Sequence, residues 1–188
     1  PADVVFDAVH RFGESIAQHG LELQVSKSAC YCPAGPQAIS DRPPGFPLGV
    51  CCDDDENIIG YAVTVGGIPV GNPAYVEFKL AGKAAKVVSK IETVSTVLRP
   101  LHLQGLHASM YYGLLSFFPH WTRHCFPTDV TGPAEHIDNA LLQVARTCLG
   151  NAVTADPYAK ARLRLPARMF GGGMRSTADV APAAFLGG

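Results

Sequence analysis

No run of about 18 or more uncharged apolar residues occurs in this 188-residue sequence, and no basic stretch leads into an apolar core at its start. Neither a membrane span nor a signal peptide is expected. The six cysteines (30, 32, 51, 52, 125 and 148) include no C-x-x-C pair and fall at irregular spacings, which argues against both a disulfide framework and a ready zinc site. Reduced thiols in an intracellular protein are the expectation. No internal repeat is visible. What the chain does have is 47% hydrophobic residues, enough at this length to bury a core, either as one domain or as one compact piece of a larger one. A first residue of proline and a last segment Leu186-Gly187-Gly188 suggest a piece of a longer reading frame.

Along the chain, Val4, Val5, Ala8, Val9, Phe12, Ile16 and Ala17 recur at three- and four-residue steps before Gly20, predicting an amphipathic helix over 3–19. Leu21, Leu23 and Val25 then alternate with polar residues, the strand period. Five prolines and two glycines between Pro33 and Pro47 read as a surface loop. Val50–Cys52 and Ile58–Val65 read as strands of a hairpin turned by Asp53-Asp54-Asp55-Glu56-Asn57 and ending at Gly66-Gly67. Asn72-Pro73 is a capping pair, and the apolar period runs from Val76 to Leu98 before Pro100, giving a long helix. Further helices are predicted over His107–Phe118 and over Pro133–Leu149, the latter closed by Gly150. Strands first and helices after describe an α+β fold: a small antiparallel sheet with one packed helix, followed by a three-helix bundle.

Charge is split along the chain. Residues 1–60 hold nine acids against three bases, and residues 61–188 hold twelve bases against seven acids. Such a split is compatible with a polyanion along the second part. Lys83, Lys86 and Lys90 share one face of the long helix. Lys160, Arg162, Arg164, Arg168 and Arg175 follow one another between Asp156 and Asp179 with no acid between them. Such rows neutralise phosphates and give salt-sensitive, sequence-independent affinity, although a solvated face is the plainer reading of the helix stripe. Tyr111, Tyr112, Phe117, Phe118 and Trp121 could stack on bases or fill a core. His120, His124 and the scattered cysteines raise a zinc reading that no C-x-x-C pair supports.

Three strings together resemble the reverse transcriptases of non-LTR retrotransposons. Gly20-Leu21-Glu22-Leu23-Gln24-Val25-Ser26-Lys27 resembles the G-L-x-L-N-x-x-K palm motif, with Gln24 in place of asparagine. Val65-Gly66-Gly67-Ile68-Pro69-Val70-Gly71 resembles the primer-grip hairpin V-L-G-x-P-[IV]-G, with Gly66 in place of leucine. Arg164-Leu165-Pro166-Ala167-Arg168-Met169-Phe170-Gly171-Gly172-Gly173-Met174-Arg175-Ser176 is similar to the R-L-P-x-R-L-G-G-L-G-L-R-S segment beyond the thumb, departing from it at Phe170 and Gly172.

This resemblance implies the end of a polymerase palm over 1–71, a helical thumb over 72–150 and a basic post-thumb connector and tail over 151–188. The parent protein would be an RNA-directed DNA polymerase using magnesium and deoxynucleotides. Lys27 would protonate the leaving pyrophosphate, Gly66, Gly67, Ile68, Pro69, Val70 and Gly71 would position the primer end, and Lys83, Lys86, Lys90, Arg162, Arg164, Arg168 and Arg175 would contact the template–primer duplex. A solvated lysine after a strand is the plain alternative for Lys27.

Cys52-Asp53-Asp54-Asp55 mimics the family's Y-x-D-D metal box but falls after the G-L-x-L motif, where the box should precede it, and reads as a solvated turn. The metal-binding aspartates, with the fingers and the rest of the palm, are then missing, so no magnesium is expected on this chain and it is expected to be inactive alone. A half-palm should also expose a sheet edge and an apolar face, and so tend to aggregate. The alternatives are a non-catalytic nucleic-acid-binding or interaction module and a small zinc- or cysteine-dependent enzyme.

Overall fold

The computed structural model describes residues 2–40, 42–52, 57–151 and 155–187. The acidic run 53–56 lies outside the described residues. Helices and a three-stranded antiparallel sheet give the mixed α+β architecture that the pattern predicts. The chain divides into two compact units, Pro1–Val76 and Glu77–Gly188, so the segment beyond residue 150 belongs to the second unit.

In the first unit, α1 (Ala2–Ala17) ends before Gly20, whose φ of +73° is one that glycine adopts without strain. Phe6, Val9 and Ile16 on α1 are half-buried, whereas Val4, Val5 and Phe12 stay 57–59% exposed. A cavity of about 750 Å³ separates this face from Leu23, Cys30 and Phe46.

The strand expected over 21–25 does not form. Residues 21–24 join no sheet, and the chain turns instead through a 3-10 turn, Val25–Lys27. There the Lys27 N–H donates to the Gln24 carbonyl at 3.1 Å, and the Ser28 hydroxyl donates to the same carbonyl at 3.3 Å. Alternation marks a chain suited to a ladder, but without a neighbouring strand its backbone groups bond locally.

The proline-rich loop carries a second 3-10 turn, Pro36–Ile39, that buries Ile39. It returns to pair Cys30 with Leu48: the Cys30 N–H donates to Pro47 O at 2.9 Å and the Gly49 N–H to Cys30 O at 2.8 Å. Beyond it lie β1 (Val50–Cys52), β2 (Ile58–Val65) and β3 (Ile68–Gly71), in the order β1-β2-β3. The sheet therefore continues past Gly66-Gly67. Val65 pairs with Ile68 across a two-residue loop, in which Gly66 and Gly67 have φ of +57° and +84°. Positive φ at both centres is the turn whose twist matches paired strands, and glycine takes it without a Cβ clash.

The long helix α2 (Pro73–Leu98) starts where the cap predicts, with the Tyr75 N–H donating to Asn72 Oδ1 at 3.0 Å. From Glu77 onward it belongs to the second unit, where Leu80, Ala84 and Ile91 are nearly or wholly buried. The single helix expected over 107–118 is instead a graded segment. It comprises α3 (Leu103–Ala108), a π turn (Ser109–Gly113) and a 3-10 turn (Leu114–Ser116). The changing winding keeps Leu106, Met110, Leu114, Leu115 and Phe118 all buried.

After α4 (Pro119–His124), α5 runs Pro127–Leu149 and begins six residues before the expected Pro133. Pro127 occupies the first helical position, where its missing N–H costs nothing, and Pro133 lies inside the helix. Then come α6 (Pro157–Arg164), a 3-10 turn (Ala167–Met169) and α7 (Thr177–Leu186). The last helix packs on α5 and α4, so the segment expected as a tail is part of the bundle.

Candidate nucleic-acid interface

Lys83, Lys86 and Lys90 stand exposed on α2, spaced so that 83 and 90 lie two turns apart on one face. Each of those two covers an aromatic ring. Lys83 Nζ is 5.5 Å from the Trp121 ring centroid, and Lys90 Nζ is 4.2 Å from that of Phe117. Near the start of the helix, Lys79 Nζ is 5.8 Å from the ring of Phe78. An ammonium over a ring face gains about 0.5–1 kcal/mol at an exposed site, which holds the cation in place without removing it from solvent.

The aromatic cluster behind them is part core and part surface. Phe118 is buried and meets Trp121 edge-on at 5.1 Å, Phe117 is 46% exposed, and Tyr112 is 78% exposed. Cations interleaved with rings are an arrangement that can offer phosphate contacts and stacking faces on one surface.

The arginine row is not one strip. Arg164 pairs with Asp179 at 2.6 Å, and Arg162 Nε donates to the Phe170 carbonyl at 3.4 Å. Arg168 is exposed on the 3-10 turn after Pro166, and Arg175 stands at the entry to α7. Between them the chain folds back. The Gly172 N–H donates to Arg162 O, that of Gly173 to Leu165 O, and that of Met174 to Leu163 O, at 2.8–3.1 Å. A Cβ on Gly171 would strike the Leu165 backbone, and one on Gly173 would lie 2.5 Å from the Tyr111 ring. His107 Nε2 bonds the Gly172 carbonyl at 2.6 Å. The triple glycine thus serves close packing.

In the first unit, Lys27 is exposed on its 3-10 turn and has no ion-pair partner among the described residues. Residues 66–71 form the end of the β2–β3 hairpin. Gly66 and Gly67 are exposed at the tip, Ile68 and Gly71 are half-buried, Pro69 is buried and Val70 is 40% exposed. Pro69 stands on an edge strand, the place in a sheet that tolerates a residue with no N–H.

Among the described residues no three His, Cys, Asp or Glu side chains gather as metal ligands would. His120 and His124 lie with rings 4.9 Å apart on α4. Cys125 is buried. Its burial, and then the nearby Asp129 carboxylate, push the thiol above its usual range, the opposite of an activated nucleophile.

A residue that sequence reading missed is Asp138, buried on α5. Its carboxylate accepts from the Ser176 hydroxyl at 2.5 Å and from the N–H groups of Thr177 at 2.7 Å and Ala178 at 3.2 Å, fastening the start of α7. Ser176 in turn caps that helix by accepting from the Asp179 N–H at 3.1 Å. The available signal was the place of Asp138 beside Ala134, Ile137 and Leu141, on the apolar stripe of its helix. Comparison of the chain with protein-family models, with curated proteins and with solved structures returns no match.

Proposed function

We propose that the chain is the palm-end and thumb portion of a reverse-transcriptase-like polymerase, and that its second unit grips a template–primer duplex through the phosphate backbone. The observation that carries the reading is the α2 face, where Lys83 and Lys90 rest on Trp121 and Phe117. The two-glycine hairpin 65–71, where a primer grip would stand, supports it.

Nucleotidyl transfer needs carboxylates to fix two metal ions, and the described residues bring no such group together. No chemical step is assigned to this chain alone. In the parent polymerase Lys27 would donate the proton that offsets charge on the departing pyrophosphate.

A second reading, a non-catalytic nucleic-acid-binding module, rests on the same α2 face without the polymerase context. Fluorescence anisotropy with an RNA/DNA duplex at rising salt tests both. Affinity should fall linearly on a log–log plot, and replacing Lys83, Lys86 and Lys90 with glutamine should flatten the slope by roughly 0.9 for each phosphate no longer neutralised. Unchanged affinity and slope in the triple variant would refute the interface. A preference for a recessed 3′ primer end over a blunt duplex supports the polymerase reading, and equal affinity supports the module.

A further inference from the structure

A cavity of about 680 Å³ opens between α4 and α7, wholly within the second unit. Two guanidinium groups, Arg123 and Arg175, line it together with His120 and His124, and no carboxylate lines it among the described residues. Arg123 and Arg175 are exposed and make no ion pair among the described residues. Two carboxylates of this unit are engaged elsewhere. Asp179 pairs with Arg164, and the Asp138 carboxylate is taken by Ser176, Thr177 and Ala178. Leu115, Val180 and Ala183 give it an apolar wall, beside the hydroxyl-bearing Ser116, Thr122 and Thr177.

We infer that this cavity binds a nucleoside phosphate, with the phosphate between Arg123 and Arg175 and the base against the imidazoles and the apolar wall. The size is that of small-molecule sites, typically about 300–1,000 Å³. Two guanidinium forks match a phosphate monoester, which carries about −1.5 to −2 charges at neutral pH, better than they match a singly charged carboxylate. Imidazole rings are stacking surfaces for an unpaired base, and the apolar wall leaves room for its other face. The same chemistry is offered by a free nucleotide and by the phosphorylated end of a strand. The residues that form this cavity are not those of the α2 face, and Arg175 alone is shared with the duplex contacts that the resemblance implies.

Calorimetric titration of the full chain with inorganic phosphate, AMP and adenosine tests it, together with a 5′-phosphorylated dinucleotide and its 5′-hydroxyl counterpart. AMP should bind saturably and more tightly than phosphate, and adenosine should not bind. R123Q and R175Q should each weaken AMP by about tenfold or more, as expected for loss of a charge-assisted hydrogen bond. Glutamine at Lys83 and Lys90 should leave AMP affinity unchanged. Failure of AMP with a preference for the 5′-phosphorylated dinucleotide identifies the source as a strand end and also supports the site. Should R123Q or R175Q melt at a lower temperature than the parent chain, R123K and R175K decide, since they keep the charge and lose the fork. The site is overturned if AMP and adenosine bind equally, if AMP binding survives in both glutamine variants, or in the folded lysine variants where those decide, or if no phosphate-bearing probe binds.

Discussion

A single thiol illustrates how surroundings govern chemistry at the residue scale. Cys125, next to the start of α5, is buried near Asp129, and both influences keep it protonated in the folded chain. The folded thiol therefore titrates above the unfolded one. Its contribution to stability is complete below an ordinary thiol value of about 8.5 and is lost as the pH rises through the higher folded value. Melting temperatures followed from about pH 7 to about pH 10 should fall more steeply for the parent chain than for C125A. Parallel profiles would remove the assignment. The same residue scale shows where reading a sequence stops. Lys83 and Lys90 were legible as a stripe because helical spacing is local, but their partners Trp121 and Phe117 lie 38 and 27 residues downstream and no spacing rule connects them. Asp138 meets groups 38–40 residues away, and only its position on an apolar stripe hinted at burial.

Whole elements were legible in proportion to their local signals. The start of α2 was marked by Asn72-Pro73, and the structure shows the capping bond. The segment 103–118 was not, because its winding passes from α to π to 3-10 and a fixed period cannot follow a changing one. Pro133 read as a helix start because proline is favoured there, whereas α5 tolerates it a turn and a half inside. Residues 21–25 carried the period of a strand without a strand to pair with. The β2–β3 turn offers a direct check. Gly66→Ala should cost roughly 1–2 kcal/mol, because a Cβ at positive φ is strained, whereas Gly66→Asn should retain most of the stability, asparagine being accepted in this turn. Chemical denaturation of the two variants measures the difference, and equal losses would mean that the tip does not hold its positive-φ geometry in solution.

For the whole molecule, the α+β order and the acidic-to-basic split were visible from composition and pattern, while the break at Val76/Glu77 falls inside the first turn of α2, five residues past the 71/72 boundary that the resemblance implied. Helical periodicity runs through that point uninterrupted, and a division between packed units depends on residues far apart in the chain. The first unit leaves Val4, Val5, Phe12 and Leu21 more than half exposed, and Val5 and Phe12 border the 750 Å³ cavity. Apolar surface of this kind should bind a hydrophobic dye and promote concentration-dependent association. Dye fluorescence and light scattering should both drop in the V5S/F12S double variant, and unchanged values would show that the face is covered in solution. The Asp138 anchor has an implication for how far the protein can be trimmed. Cutting the polypeptide ahead of Ser176 would strand a carboxylate in an oily interior with its donors gone, so the closing helix is better regarded as a keystone than as an appendage.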